Sequence, residues 1–163
     1  MKNKIVKTSI LIMCALLLLS AAIPPAASAD GSASLTLNYL SDVGFRVYLV
    51  ATPGSSGYEP VPAYAGGSAS FNPSTAEGWR ELAQVLAANT GSAAAPVASG
   101  KTDANGSITF TGLAAGMYLI MGDSVRRNNV EYTPNPFVVT LTEGQSLVCQ
   151  VKGAETPYDP VVK

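Results

Sequence analysis

Histidine is absent from the 163-residue sequence. Its absence removes Ser-His-Asp and Cys-His nucleophilic catalysis, and histidine-ligated zinc, together. Charge is scarce as well, at 13% of residues, with 10 basic and 11 acidic side chains. Three of the lysines, Lys2, Lys4 and Lys7, lie at the very start. Without them 7 basic and 11 acidic groups remain, a net charge of −4, which argues against nucleic acid and anionic membrane as partners. Cysteine is limited to Cys14 and Cys149. No metal-ligand or cofactor motif is present, so no cofactor is expected.

The start of the chain has the pattern of a secretory signal peptide. Basic residues precede an apolar run from Ile10 to Ala22, and Ala27-Ser28-Ala29 offers small residues for cleavage after Ala29. The alternative, a membrane anchor, needs Pro24 and Pro25 inside the span to reach about 20 residues. A lipoprotein reading fails on Met13 before Cys14. Removing residues 1–29 leaves 134 of the 163, enough for one domain with a real core. That chain holds one cysteine and no intrachain disulfide. Cys149 shares a face with Leu147 and Val151 and reads as a buried core thiol; the other reading is an intermolecular disulfide.

What is present is strand pattern and turn chemistry. The central stretch is Thr102 to Met121. Asn105-Gly106 marks a tight turn. Ile108 and Phe110 alternate with Ser107, Thr109 and Thr111, the period of a half-buried strand. Met117 to Met121 is a continuous apolar run of strand length, suited to a sheet covered on both faces. Strand, short loop, strand is therefore expected here, as a core hairpin. Leu35 to Tyr39 alternates as a first strand. Val43 to Val50 is a second, with Val43, Phe45, Val47 and Leu49 on one face and a mixed, half-covered face opposite.

Pro53 to Pro73, rich in Gly, Pro and Ser, reads as an extended surface insertion. Ser74-Thr75-Ala76-Glu77 fits an N-cap followed by a capping-box acid. Trp79, Leu82, Val85 and Leu86 then predict one amphipathic helix over residues 75–89, stopped by Gly91. Trp79 packs that helix on the sandwich edge, the alternative being an exposed ligand contact. Gly91 to Ser99 reads as a low-complexity connection, and Asp123 to Tyr132 as a polar loop tipped by Arg126-Arg127-Asn128-Asn129. Phe137 to Leu141 and Ser146 to Val151 are the last strands. Gly153 to Lys163 has no apolar periodicity and is expected to be a loosely held tail or linker. The sum is an all-β sandwich of about seven strands with one helical insertion, spanning residues 30–152.

Four of these segments carry a resemblance. The stretch with Asn105-Gly106, Ile108, Phe110, Leu113, Gly116 and Tyr118-Leu119-Ile120 resembles CnaB-type domains of Gram-positive surface proteins and sortase-assembled pilins. Phe45-Arg46-Val47-Tyr48-Leu49-Val50 is similar to their second strand, Trp79 to Leu86 to the helical insertion of pilin N-terminal domains, and Tyr132 to Leu141 to their Y-x-P-x-P-F segment. The match runs from about Leu35 to Val151, in family order. It implies a reverse Ig-like sandwich at a cell surface, secreted or wall-associated. Its partners would be other surface or pilus subunits, or a host or matrix protein or glycan.

Many domains of that family carry a self-formed isopeptide bond between a first-strand lysine and a last-strand Asn or Asp, assisted by a buried acid. Here the first two strands have no lysine, Arg46 stays protonated, residues 146–151 contain no Asn or Asp, and Gly122 stands where the family often has Glu. No internal isopeptide bond is expected. Tyr158-Asp159-Pro160-Val161-Val162-Lys163 is a shortened echo of the family's polymerisation motif, which makes Lys163 a candidate polymerisation lysine. No sorting signal follows it, so either the protein is released or the chain is part of a longer one.

The residues themselves leave two other functions to weigh. Tyr58 and Tyr64 in the Gly54–Phe71 segment, with Trp79, Arg126 and Arg127, are candidate contacts for a small molecule or glycan. Catalysis finds little support. Glu77 and Glu81 lie one helical turn apart like a solvated face, and Asp123 and Glu131 flank a loop, so a non-enzymatic module is expected.

Overall fold

The computed structural model describes residues 32–67, 69–91 and 94–158. The proposed signal segment, residues 1–29, lies outside the described residues, as does Lys163.

Two β-sheets and one helix make three layers. The first sheet joins β1 (Ala33–Asn38), β5 (Ser107–Leu113) and β10 (Ser146–Gln150) in the order β10-β1-β5, with β1 parallel to β10 and antiparallel to β5. The second holds β2 (Gly44–Gly54), β3 (Gly57–Pro60), β4 (Ala98–Lys101), β6 (Gly116–Gly122) and β9 (Phe137–Leu141). Its order is β3-β2-β6-β9, with β4 beside the first half of β2. Helix α1 (Ala76–Asn89) covers the outer face of this sheet over β9 and β6. The architecture is an all-β, Ig-like sandwich with one helical insertion.

β6 explains why the layers number three. Its alternate residues serve two cores: Tyr118 and Ile120 pack between the sheets with Leu35, Leu37, Phe45 and Phe110, while Met117 and Leu119 pack under the helix with Leu82 and Leu86. A strand apolar on both faces needs cover on both. β2 behaves likewise, with Phe45 and Val47, and Val43 just ahead of the strand, facing the sheets' core and Tyr48 and Val50 facing the helix. A register irregularity between Leu49 and Ala51 sets Val50 and Ala51, consecutive residues, both on the helix side. Leu82 and Leu86 are each buried, contributing about 2 kcal/mol apiece through apolar burial.

The expected core hairpin is not a hairpin. β5 pairs with β1 and β6 with β2 and β9, so Ala114-Ala115 arches from one sheet to the other. The half-polar β5 suits a sheet with one bare face, and the wholly apolar β6 suits the doubly covered one. The Tyr118 hydroxyl donates to the Ala114 carbonyl at 2.8 Å and ties the arch to β6. The turn at Asn105-Gly106 forms as read, with Gly106 at φ 78°, and the Asp103 carboxylate accepts from the Asn105 and Ser107 amides at 2.9 Å. It too joins strands of opposite sheets, β4 and β5.

Beyond the six strands placed individually in the sequence, five short ones bring the number to eleven among the described residues, against about seven expected: β3 and β4, with β7 (Val125–Arg127), β8 (Val130–Pro134) and β11 (Gly153–Pro157). β11-β8-β7 form a small separate sheet. The expected polar loop at 123–132 is thus a hairpin, with Asn128 and Asn129 at φ 50° and 61° in its turn. The tail from Gly153 to Pro157 is a strand whose five residues are all exposed. Backbone pairing holds these five residues, which is why no side-chain pattern announces them.

Two helix-end expectations shift. The N-cap is Thr75, whose Oγ1 accepts from the Gly78 amide at 3.1 Å; Glu77 pairs with Arg80 instead of closing a capping box. At the far end, Asn89 Nδ2 and Thr90 Oγ1 each donate at 2.7 Å, to the Val85 and Leu86 carbonyls, ahead of Gly91. The expected surface insertion at 53–73 begins as a β2–β3 hairpin, and its Tyr64 and Phe71 are buried in the core under the helix.

Candidate interaction surface

The structure scatters the residues singled out in the sequence. Tyr64 is 6% exposed, with its hydroxyl 3.2 Å from Thr90 Oγ1, so neither ring face is open to stack on a ligand. Burial raises its pKa above the ordinary tyrosine value. Tyr58 lies half-buried against the same core. Arg127 donates to the Ser41 carbonyl and hydroxyl, tying β7 to the β1–β2 turn. Arg126 lies 3.5 Å from Glu131 and 4.0 Å above the Tyr158 ring, clamping the end of β11. Both arginines are therefore engaged inside the fold.

Tyr64 lines a small cavity of about 150 Å³ beside the end of α1, whereas Trp79 borders a wider recess. Trp79 lies half-buried on α1, against the helix-side core. The recess runs where the two sheets come together through the Thr142–Gln145 turn. There β9 pairs only with β6 and β10 only with β1 among the described residues, so each strand keeps an unpaired outer edge. Two adjoining cavities occupy this seam, of about 420 and 480 Å³, sharing Cys149 as a wall. The smaller lies beside Trp79, Val139 and Leu147; the larger lies beside Arg80, Phe137 and Lys152. Phe137, Val139, Leu147 and Cys149 pack on the core between the sheets yet stay half-exposed along the opening.

Cys149 fulfils the core-thiol reading in part: half-buried, with burial raising its pKa. The neutral thiol is therefore favoured, which makes the group a poor nucleophile at neutral pH. Sequence reasoning missed Arg80, Phe137 and Lys152 as neighbours, because helix, β9 and the end of β10 bring them together from distant positions. The one available signal was the uncharged edge strand Ser146–Gln150.

No family model and no curated protein matches the chain. Among solved structures, it is similar to the fimbrial protein FimP from Actonomyces oris, at 18% identity and TM-score 0.43 over 77% of this chain and 30% of that one. The full-length major pilin SpaD from Corynebacterium diphtheriae matches at 20% identity and TM-score 0.43, over 76% and 30% of the two chains. The minor pilin GBS52 from Streptococcus agalactiae matches at 16% identity and TM-score 0.41, over 80% and 47%. The chain therefore spans less than half the length of each of these proteins. With TM-scores this low, the Ig-like assignment rests on the strand pairing above. Among the described residues no helix is long and apolar enough to cross a membrane, and no group of three metal-ligating side chains is found.

Proposed function

We propose that the chain is a secreted structural module of a cell surface, pilin-like in build, without enzymatic activity and without an internal isopeptide bond. One observation carries the reading. Tyrosines aside, Thr102 is the single buried polar residue among the described residues, and its hydroxyl is engaged by the backbone of the β1–β2 turn. Apart from the tyrosine hydroxyls and the buried Arg46 Nε, the rest of the described interior is apolar, which suits a body that is packed rather than reactive.

The isopeptide part has separate support. The core-facing opposed positions of the first and last sandwich strands are Leu35 with Leu147 and Leu37 with Cys149. None offers an amine or a carboxyl. The described lysines lie outside the core: Lys101 is exposed beside Asp42 at 3.1 Å, and Lys152 is exposed at the seam. Neither lies against a core Asn, Asp or Glu, as the bond would require. The partners are other subunits of the surface assembly, with Lys163 as the candidate amine if joining is covalent.

Expression with its own leader in a Gram-positive host tests this. The protein is expected outside the membrane, beginning at Asp30, with an intact mass showing no loss of water or ammonia. Retention in the cytosol would overturn the surface assignment, and loss of either small molecule would overturn the absence of the bond.

A further inference from the structure

We infer that the seam between α1, β9 and β10 is a docking groove for an extended peptide of a partner protein, apolar along its length and carrying a carboxylate at one end. The partner's identity as another surface protein rests on the proposed function; the groove itself does not.

Three observations point to this occupant. First, two unpaired strand edges border the seam, and a free edge offers alternating amides and carbonyls that another extended chain satisfies. β10 carries no charge or proline to discourage such pairing; its sequence is Ser-Leu-Val-Cys-Gln. Second, the half-exposed row of Phe137, Val139, Leu147 and Cys149 runs along the opening. Apolar side chains of an added strand would cover it beside Trp79. The five residues of β10 present roughly 17 Å of edge, at about 3.3 Å per residue, which matches a bound segment of five or six residues. Third, charge separates the two ends. The two charged residues lining the seam, Arg80 and Lys152, both line the larger cavity, and no carboxylate lines either cavity. Arg80 also pairs with Glu77, at the surface of α1, where the pair is solvated and weak. A cationic end on a chain of net acidic charge favours an anionic group at that place.

The mature chain would be labelled with ¹⁵N and titrated with two acetylated, amidated peptides of opposite polarity, Thr-Val-Thr-Val-Thr-Asp and Asp-Thr-Val-Thr-Val-Thr. Each is paired with a control carrying asparagine for aspartate. One acidic peptide is expected to shift the amides of Val139, Leu147 and Val148 and to bind about fivefold tighter than its asparagine control. Arg80→Ala and Lys152→Ala should each weaken it by a similar factor, and added salt should weaken it further. Both side chains are exposed, so an unchanged melting temperature certifies the fold of each variant. Absence of binding by every peptide, shifts mapping elsewhere, or equal binding of acid and amide would overturn the inference. So would sedimentation showing that a second copy of the chain already fills the seam. Extracellular location and intact mass are read separately, so failure here leaves the structural-module reading standing, and the reverse also holds.

Discussion

Removing the Thr102 hydroxyl while keeping the shape of the side chain isolates one buried polar contact of the core. In Thr102→Val the Val43 amide loses its acceptor at 2.9 Å and the Leu40 carbonyl loses its donor at 2.6 Å. Val43 is fully buried, so its amide finds no water; leaving a buried donor unmet costs about 1–3 kcal/mol. Leu40 is only half-buried, and its carbonyl recovers part of the loss from solvent. The expected destabilisation is about 3 kcal/mol. For a domain of this size about 3–5 °C accompanies each kcal/mol, so the melting midpoint should fall by about 10 °C. Thr102→Ser is the control: it keeps both hydrogen bonds and deletes one methyl, at about 1 kcal/mol. Calorimetry or circular dichroism on all three proteins reads the difference. If valine were tolerated as well as serine, the hydroxyl would not hold the β1–β2 turn and the reasoning would fail.

Three further outcomes are expected. Gly106→Ala should destabilise by about 3 kcal/mol in urea unfolding, because the residue sits at φ 78° and an added Cβ collides with the Tyr39 carbonyl. Cys149 should react with iodoacetamide slowly, its rate rising only at a pH above that of a free cysteine peptide, since burial raises the thiol pKa and less thiolate exists at any given pH; a rate matching the peptide would contradict the half-buried setting. Arg126→Ala should lower global stability by no more than about 1 kcal/mol, because the ion pair and ring contact are near the surface, yet it should speed proteolysis within residues 153–158 as the clamp on Tyr158 is lost.

Side-chain pattern made the centre of this fold legible and its margins illegible. The apolar run of β6 announced a strand covered on both faces, the alternation in β2 announced one apolar and one half-covered face, and Trp79, Leu82 and Leu86 announced the helix that supplies the second cover. Alternation says which residues share a face, but not which sheet a strand joins, so β5 and β6 passed for a hairpin when a short arch separates them. β11 left no trace, because exposed side chains and backbone pairing imprint no periodicity. Tyr64 looked like a platform because aromatic residues among Gly and Pro resemble a binding loop; its burial depends on a helix that follows it. The seam was hidden for a topological reason: Arg80, Phe137 and Lys152 become neighbours only once β10 lies parallel to β1 and β9 closes the other sheet.

The side-by-side course of β1 and β10 has a mechanical consequence. Residues Ser34 to Asn38 run in step with Ser146 to Gln150, in the same direction. Tension entering at the start of β1 and leaving at the end of β10, once β11 has peeled away, slides the two strands past each other lengthwise. The rungs of that ladder then resist together instead of opening one after another as in a zip. A molecule stretched along this line should yield abruptly, at a higher force than the same molecule pulled across its sheets.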